Sequence, residues 1–71
     1  MNLNEMNEKM QVFLDAGFKV HIDLFDGTFL NGSVIKCVRE NVWLIKEEKM
    51  GDVFVFLREV VKMEQYRGGR E

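Results

Sequence analysis

The stretch that most constrains the fold is residues 20–46, VHIDLFDGTFLNGSVIKCVRENVWLIK. At its start Val20, Ile22 and Leu24 alternate with His21, Asp23 and Phe25, the period-two pattern of a strand with one face on a core. Asp26-Gly27 reads as a two-residue hairpin turn, a pair suited to the positive φ of a type I′ link. A second strand, Thr28 to Val38, turns Leu30 and Val34 inward with Gly32 between them. A residue without Cβ at that point lets a long strand bend and twist sharply. Arg39-Glu40-Asn41 is the next turn, and Val42 to Lys46 is a third strand, apolar on both faces as if covered on both sides.

The flanks complete a small sheet. Residues 2–16 predict a helix, because Leu3, Met6, Met10, Phe13 and Leu14 form one apolar stripe. Asn2 with Glu5 makes a capping-box pattern, and Gly17 is a left-handed stop. The stripe could hold a partner or a membrane surface; packing on the chain's own sheet is the ordinary reading, and the acidic polar face suits anionic lipid poorly. After the third strand comes EEKMGD, a charged connection with Gly51 as its turn residue. Val53 to Leu57 is a fourth strand, Arg58-Glu59 a tight turn, and Val60 to Met63 a fifth strand. Residues 67–71 are expected to be a flexible tail. The whole predicts an α+β, mainly β chain: an amino-terminal helix and a strongly bent, five-stranded antiparallel barrel. VFVFL is too apolar for a bare edge, so it lies inside a closed barrel or pairs with another subunit.

Composition bounds what such a domain does. With 71 residues there is room for one domain, and a core of this size often gains stability from staples or self-association. A lone cysteine, Cys37, excludes an intrachain disulfide and fits a reducing compartment. His21, Cys37 and the scattered carboxylates have no metal-ligand spacing, so no metal or other cofactor is expected. The net charge of -2 gives no overall basic field, and nucleic-acid contact would need a local patch. No run approaches the ~18 apolar residues of a membrane span, and MNLNEMNEKM lacks the pattern of a signal peptide; the expected address is cytoplasmic, without a membrane partner. His21 has no nucleophile beside it, Ser33 sits in no nucleophile elbow, and no phosphate-cradling loop occurs, so no enzymatic activity is expected.

Taken together, Val20, Ile22, Leu24, Asp26-Gly27, Leu30, Gly32 and Val34, followed by Asn41 with Val42, Leu44 and Ile45, resemble the first motif of the Sm-like family. Leu57-Arg58 and Val60-Val61-Lys62-Met63 resemble a compressed second motif. That family includes archaeal and eukaryotic Sm proteins and the bacterial RNA chaperone Hfq. The resemblance implies one Sm-like domain over residues 1–66, with its barrel in residues 19–66. It implies a homo-oligomeric ring of five to seven subunits, the fourth strand of one pairing with the fifth of the next. Val53, Phe54, Val55, Phe56, Val60, Val61 and Met63 would then form the oligomer interface. It also implies contact with single-stranded RNA at the inner rim through Arg39, Asn41 and Arg58. The chain departs from the family pattern in four places. Val38 stands where Sm proteins carry Asp, Arg39 where many carry an aromatic or His, Glu59 replaces a Gly, and Phe56-Leu57-Arg58 replaces the Tyr-Lys-His of Hfq.

The residue chemistry fits such a rim. A guanidinium stacks on a base or grips phosphate, an Asn amide reads a base edge, and repetition round a ring adds avidity. Glu40 and Glu59 flank the arginines and oppose phosphate. Trp43 could stack on a base but reads more naturally as core, and Phe25 and Phe29 as interface packing. RGGR near the end is a minimal Arg-Gly element, otherwise a terminus without a role. The alternative function is a protein–protein scaffold of the same fold without RNA binding; a monomeric SH3-like or OB-like domain is a third.

Overall fold

The computed structural model describes residues 1–67. Helix α1 (Leu3–Ala16) is followed by β1 (Lys19–Leu24), β2 (Phe29–Arg39), β3 (Val42–Glu47), β4 (Gly51–Phe56), a 3-10 turn (Leu57–Glu59) and β5 (Val60–Gln65). The strands form one antiparallel sheet in the order β4-β3-β2-β1-β5. The α+β, barrel-like layout expected from the sequence is the one observed. The RGGR element runs beyond Arg67 and so falls outside the described residues.

The helix starts where its caps put it. Asn2 Oδ1 accepts from the Glu5 amide at 2.8 Å, while Glu5 Oε1 accepts from the Asn2 amide at 3.2 Å. Gly17, at φ 74°, closes the other end by donating to the Leu14 carbonyl. Met6, Met10 and Phe13 are buried against the sheet, with Leu3 and Leu14 packed beside them. The stripe therefore belongs to the core. Lys9 adds a polar tie, Nζ donating to the Met63 carbonyl at 2.9 Å.

β2 is the spine of the sheet. Its first half pairs with β1, Ser33 to Phe29 facing Lys19 to Asp23, and its later part pairs with β3 from Gly32 to Arg39. Where the two halves meet, Gly32 lies so close to β3 that a Cβ would fall on the Lys46 carbonyl oxygen and within 2.9 Å of Glu47 Cα. Only glycine fits at the bend. Val20, Ile22, Leu30, Val34, Trp43, Ile45, Val55, Val60 and Met63 close the core from the strands, and Leu57 from the 3-10 turn. Trp43, 2% exposed, is a core residue.

The first hairpin differs in type from the two-residue link read off Asp26-Gly27. Only Gly27 has positive φ, 91°, and its amide donates to the Leu24 carbonyl while Leu24 donates to Thr28. The loop is thus three residues wide, with glycine taking the left-handed position after an ordinary turn. Asp26 stays out of that region, and its carboxylate is turned onto Thr28. Oδ1 accepts from the Thr28 amide at 3.0 Å and from Thr28 Oγ1 at 2.7 Å, and these bonds hold its pKa below the ordinary value.

β4 and β5 are the two edges of the open sheet. VFVFL thus lies at an edge, not in the middle of a closed barrel, with Phe54 and Phe56 57% and 43% exposed. The link before β4 is pinned from within. Glu47, only 7% exposed, accepts backbone hydrogen bonds from Lys49 (2.7 Å), Met50 (2.9 Å) and Asn31 (3.2 Å). Gly51, at φ 79°, then takes the chain into β4.

A candidate single-strand RNA cleft

The three residues marked as a site in the sequence come together. Arg39 ends β2, Asn41 occupies the link to β3, and Arg58 lies on the 3-10 turn. Two backbone contacts close the distance between them. Val42 pairs with Phe56 across β3 and β4, and the Leu57 amide donates to the Asn41 carbonyl at 2.9 Å. The residue after Leu57 is then held beside the β2–β3 link. Arg39, Glu40, Asn41, Val42, Phe56 and Arg58 line a cleft of about 500 Å³.

Asn41 is in the left-handed region, at φ 63°. Asparagine tolerates that conformation better than most residues, because its short polar side chain can satisfy itself locally. Here its side chain is instead held from the helix. Asn7 Nδ2 donates to Asn41 Oδ1 at 2.8 Å and to the Leu3 carbonyl at 2.9 Å, and Trp43 Nε1 donates to Asn7 Oδ1 at 2.9 Å. Asn7 was not marked by the sequence reading. Its spacing, four residues after Leu3 and three before Met10, puts it beside the apolar stripe, but nothing in that spacing names Asn41 as its partner.

Charge in the cleft comes from two exposed arginines and one exposed glutamate, Glu40. Glu59, the other acid flanking an arginine in sequence, does not line the cleft, and its carbonyl accepts from the Phe25 amide at 3.0 Å at the hairpin end of the sheet. The local balance is therefore positive although the chain as a whole is acidic. Beside it, Val38, Arg39, Val42, Phe54 and Phe56 line a shallower apolar groove of about 320 Å³. Two arginines, an asparagine and one aromatic ring, Phe56, line the cleft; guanidinium, amide and aromatic groups are ones that can grip phosphate and stack on or read an unpaired base.

Of the residues expected at an oligomer interface, Phe54, Phe56 and Val61 have exposed side chains. Val55, Val60 and Met63 point into the core, and Val53 packs against it. These four would offer a neighbour mainly their backbone. Phe25 and Phe29 are exposed, and Phe29 lies 5.6 Å from the His21 ring. His21 itself is engaged, Nε2 lying 2.9 Å from Asp23 Oδ1 and Nδ1 beside Asn31 Oδ1. Among the described residues no three His, Cys, Asp or Glu side chains form a group able to hold a metal. No helix there is long and apolar enough to cross a membrane. Comparison with protein-family models, curated proteins and solved structures finds no match to this chain.

Proposed function

We propose that this chain is a divergent Sm-like subunit that assembles into a homo-oligomeric ring and binds single-stranded RNA, acting as an RNA-binding protein or chaperone and not as an enzyme. The observation that carries the reading is the cleft where Arg39, Asn41 and Arg58 meet beside Phe56. Its donors suit phosphate and base edges, and its exposed setting suits an unpaired strand better than a duplex. The ring is supported by the open edges. β4 and β5 terminate opposite sides of one sheet, so the β4 of one copy can pair with the β5 of the next, and a head-to-tail contact closes when the rotation allows. Each added subunit would bring another copy of the cleft.

Fluorescence titration with short uridine- and adenosine-rich oligonucleotides at two salt concentrations tests the site. Arg39→Ala and Arg58→Ala should each weaken binding about tenfold or more, since hydrogen bonds to charged groups contribute ~1.5–3 kcal/mol. The affinity should also fall with salt, less steeply in either variant. Unchanged binding in both variants rules the cleft out. The second reading, a protein-binding scaffold, is favoured by the apolar groove of Val38, Phe54 and Phe56 and by Glu40 in the cleft. Absence of binding to any oligonucleotide, with assembly intact, would leave that reading in its place.

A further inference from the structure

The apolar groove beside the cleft is built on one row of paired residues. Arg39 pairs with Val42 across β2 and β3, and Val42 pairs with Phe56 across β3 and β4. At ~4.8 Å between neighbouring strands, Arg39 and Phe56 stand about 10 Å apart with Val42 between them. Val42 is only 7% exposed, yet it is no part of the main core cluster. It is the floor of the groove, and Val38, Phe54 and Phe56, all three exposed, are its walls. Arg39 is the one residue with a polar side chain in that lining, and it makes no ion pair among the described residues.

That lining decides the chemistry of an occupant. A nucleobase carries donors and acceptors round its edge, and between valine and phenylalanine they would lose water without gaining partners. An apolar side chain loses nothing there, and its burial also frees water from Val38, Phe54 and Phe56. A single anionic group beside it meets the Arg39 guanidinium, whose planar fork matches a carboxylate. At about 320 Å³ the groove is at the lower end of ligand pockets, with room for one large side chain and not for a longer apolar segment. One residue that carries both a large apolar side chain and a free carboxylate is the last residue of a polypeptide. An internal Asp or Glu would carry its charge on a different residue from the apolar group.

We propose that the groove of Val38, Val42, Phe54 and Phe56 takes the C-terminal residue of a partner protein, a large apolar one, with its carboxylate on Arg39. Arg39 also lines the cleft, so a bound C-terminus and a bound phosphate draw on the same guanidinium and exclude one another. The exclusion rests on the single-stranded RNA reading above; the peptide site does not.

The test is an anisotropy titration of the full chain with three peptides labelled at the amino terminus. They are Gly-Gly-Gly-Phe with a free carboxylate, the same peptide amidated, and Gly-Gly-Gly-Ala with a free carboxylate. The first should bind about tenfold more tightly than either of the others, the scale of one charge-assisted hydrogen bond or of one buried aromatic side chain. In Arg39→Ala the preference for carboxylate over amide should vanish, while the preference for Phe over Ala remains. Val38→Ser, which alters the groove and not the cleft, should lower the preference for Phe over Ala. Equal binding of acid and amide, equal binding of Phe and Ala, or binding of none of the three overturns the site. A change of oligomeric state in Val38→Ser, read by light scattering, would give the groove to a second copy of this chain and overturn it as well. Oligouridine should displace the Phe peptide from the wild-type chain. If it binds without displacing the peptide, the exclusion is overturned and the RNA reading stands. If it does not bind, the exclusion falls with the RNA reading, and the peptide titration alone still judges the groove.

Discussion

At Gly32 one methyl group has nowhere to go, because the atoms it would meet are the Lys46 carbonyl and the Glu47 backbone, not the end of a flexible side chain. Gly32→Ala should therefore cost about 2–3 kcal/mol, the upper part of the range for overpacking, read as a lower urea midpoint. An alanine variant of wild-type stability would mean that β2 and β3 can separate at the bend. This requirement was legible in the sequence, since a glycine between inward Leu30 and Val34 has few other reasons to be there. Arg39, Asn41 and Arg58 were legible as well, but only through a resemblance between motifs. Asn7 was not, although it sets the orientation of Asn41. Its partner lies far along the chain, and local spacing does not say which polar residue of a helix a distant turn will meet.

Elements were easier to place than their connections. Alternation located β1 and the inward face of β2, and the caps located α1, because both signals are local. The Asp26-Gly27 link came out a residue wider than its sequence signature, since only Gly27 takes the left-handed region while Asp26 bonds Thr28. The β3–β4 link depends on a buried acid that reads in sequence as one more charge in EEKMGD. Glu47 collects backbone amides of Lys49, Met50 and Asn31, in that order of effect, and these hold its pKa below the ordinary value against the opposing pull of burial. A depressed folded pKa means that the stabilisation is complete above the unfolded value, ~4.3. It is lost as pH falls through the folded value below that. Thermal melts from pH 7 downward should show wild-type protein losing stability in that acid range. Glu47→Gln should start lower and show a shallower acid limb. Parallel pH curves for the two proteins would remove Glu47 from the account.

For the molecule as a whole, what remains unpaired matters as much as what is packed. Phe54 and Phe56 on one edge strand and Val61, 64% exposed, on the other are costly to leave in water, and a bare apolar edge invites another strand. Static light scattering at micromolar concentration should return a closed oligomer for the wild-type chain. Phe54→Lys should shift it toward monomer with the sheet intact by circular dichroism, because a charge at the seam must be desolvated to pair. A wild-type monomer at that concentration would remove the ring. Sequence left ring closure and size open for a physical reason: a few degrees in the angle between paired strands, summed round the circle, separate one closure from the next. The placing of the β3–β4 link has a practical corollary. β3 carries the chain away from the cleft and β4 brings it back, and six residues of strand at ~3.3 Å each put the link between them about 20 Å from it. Glu48, Lys49 and Met50 are exposed at that far end. Cys37, itself a free and exposed thiol two residues before Arg39, would first be replaced by serine; a cysteine introduced at Lys49 would then accept a fluorophore or a surface tether at the far end alone, leaving the cleft unobstructed.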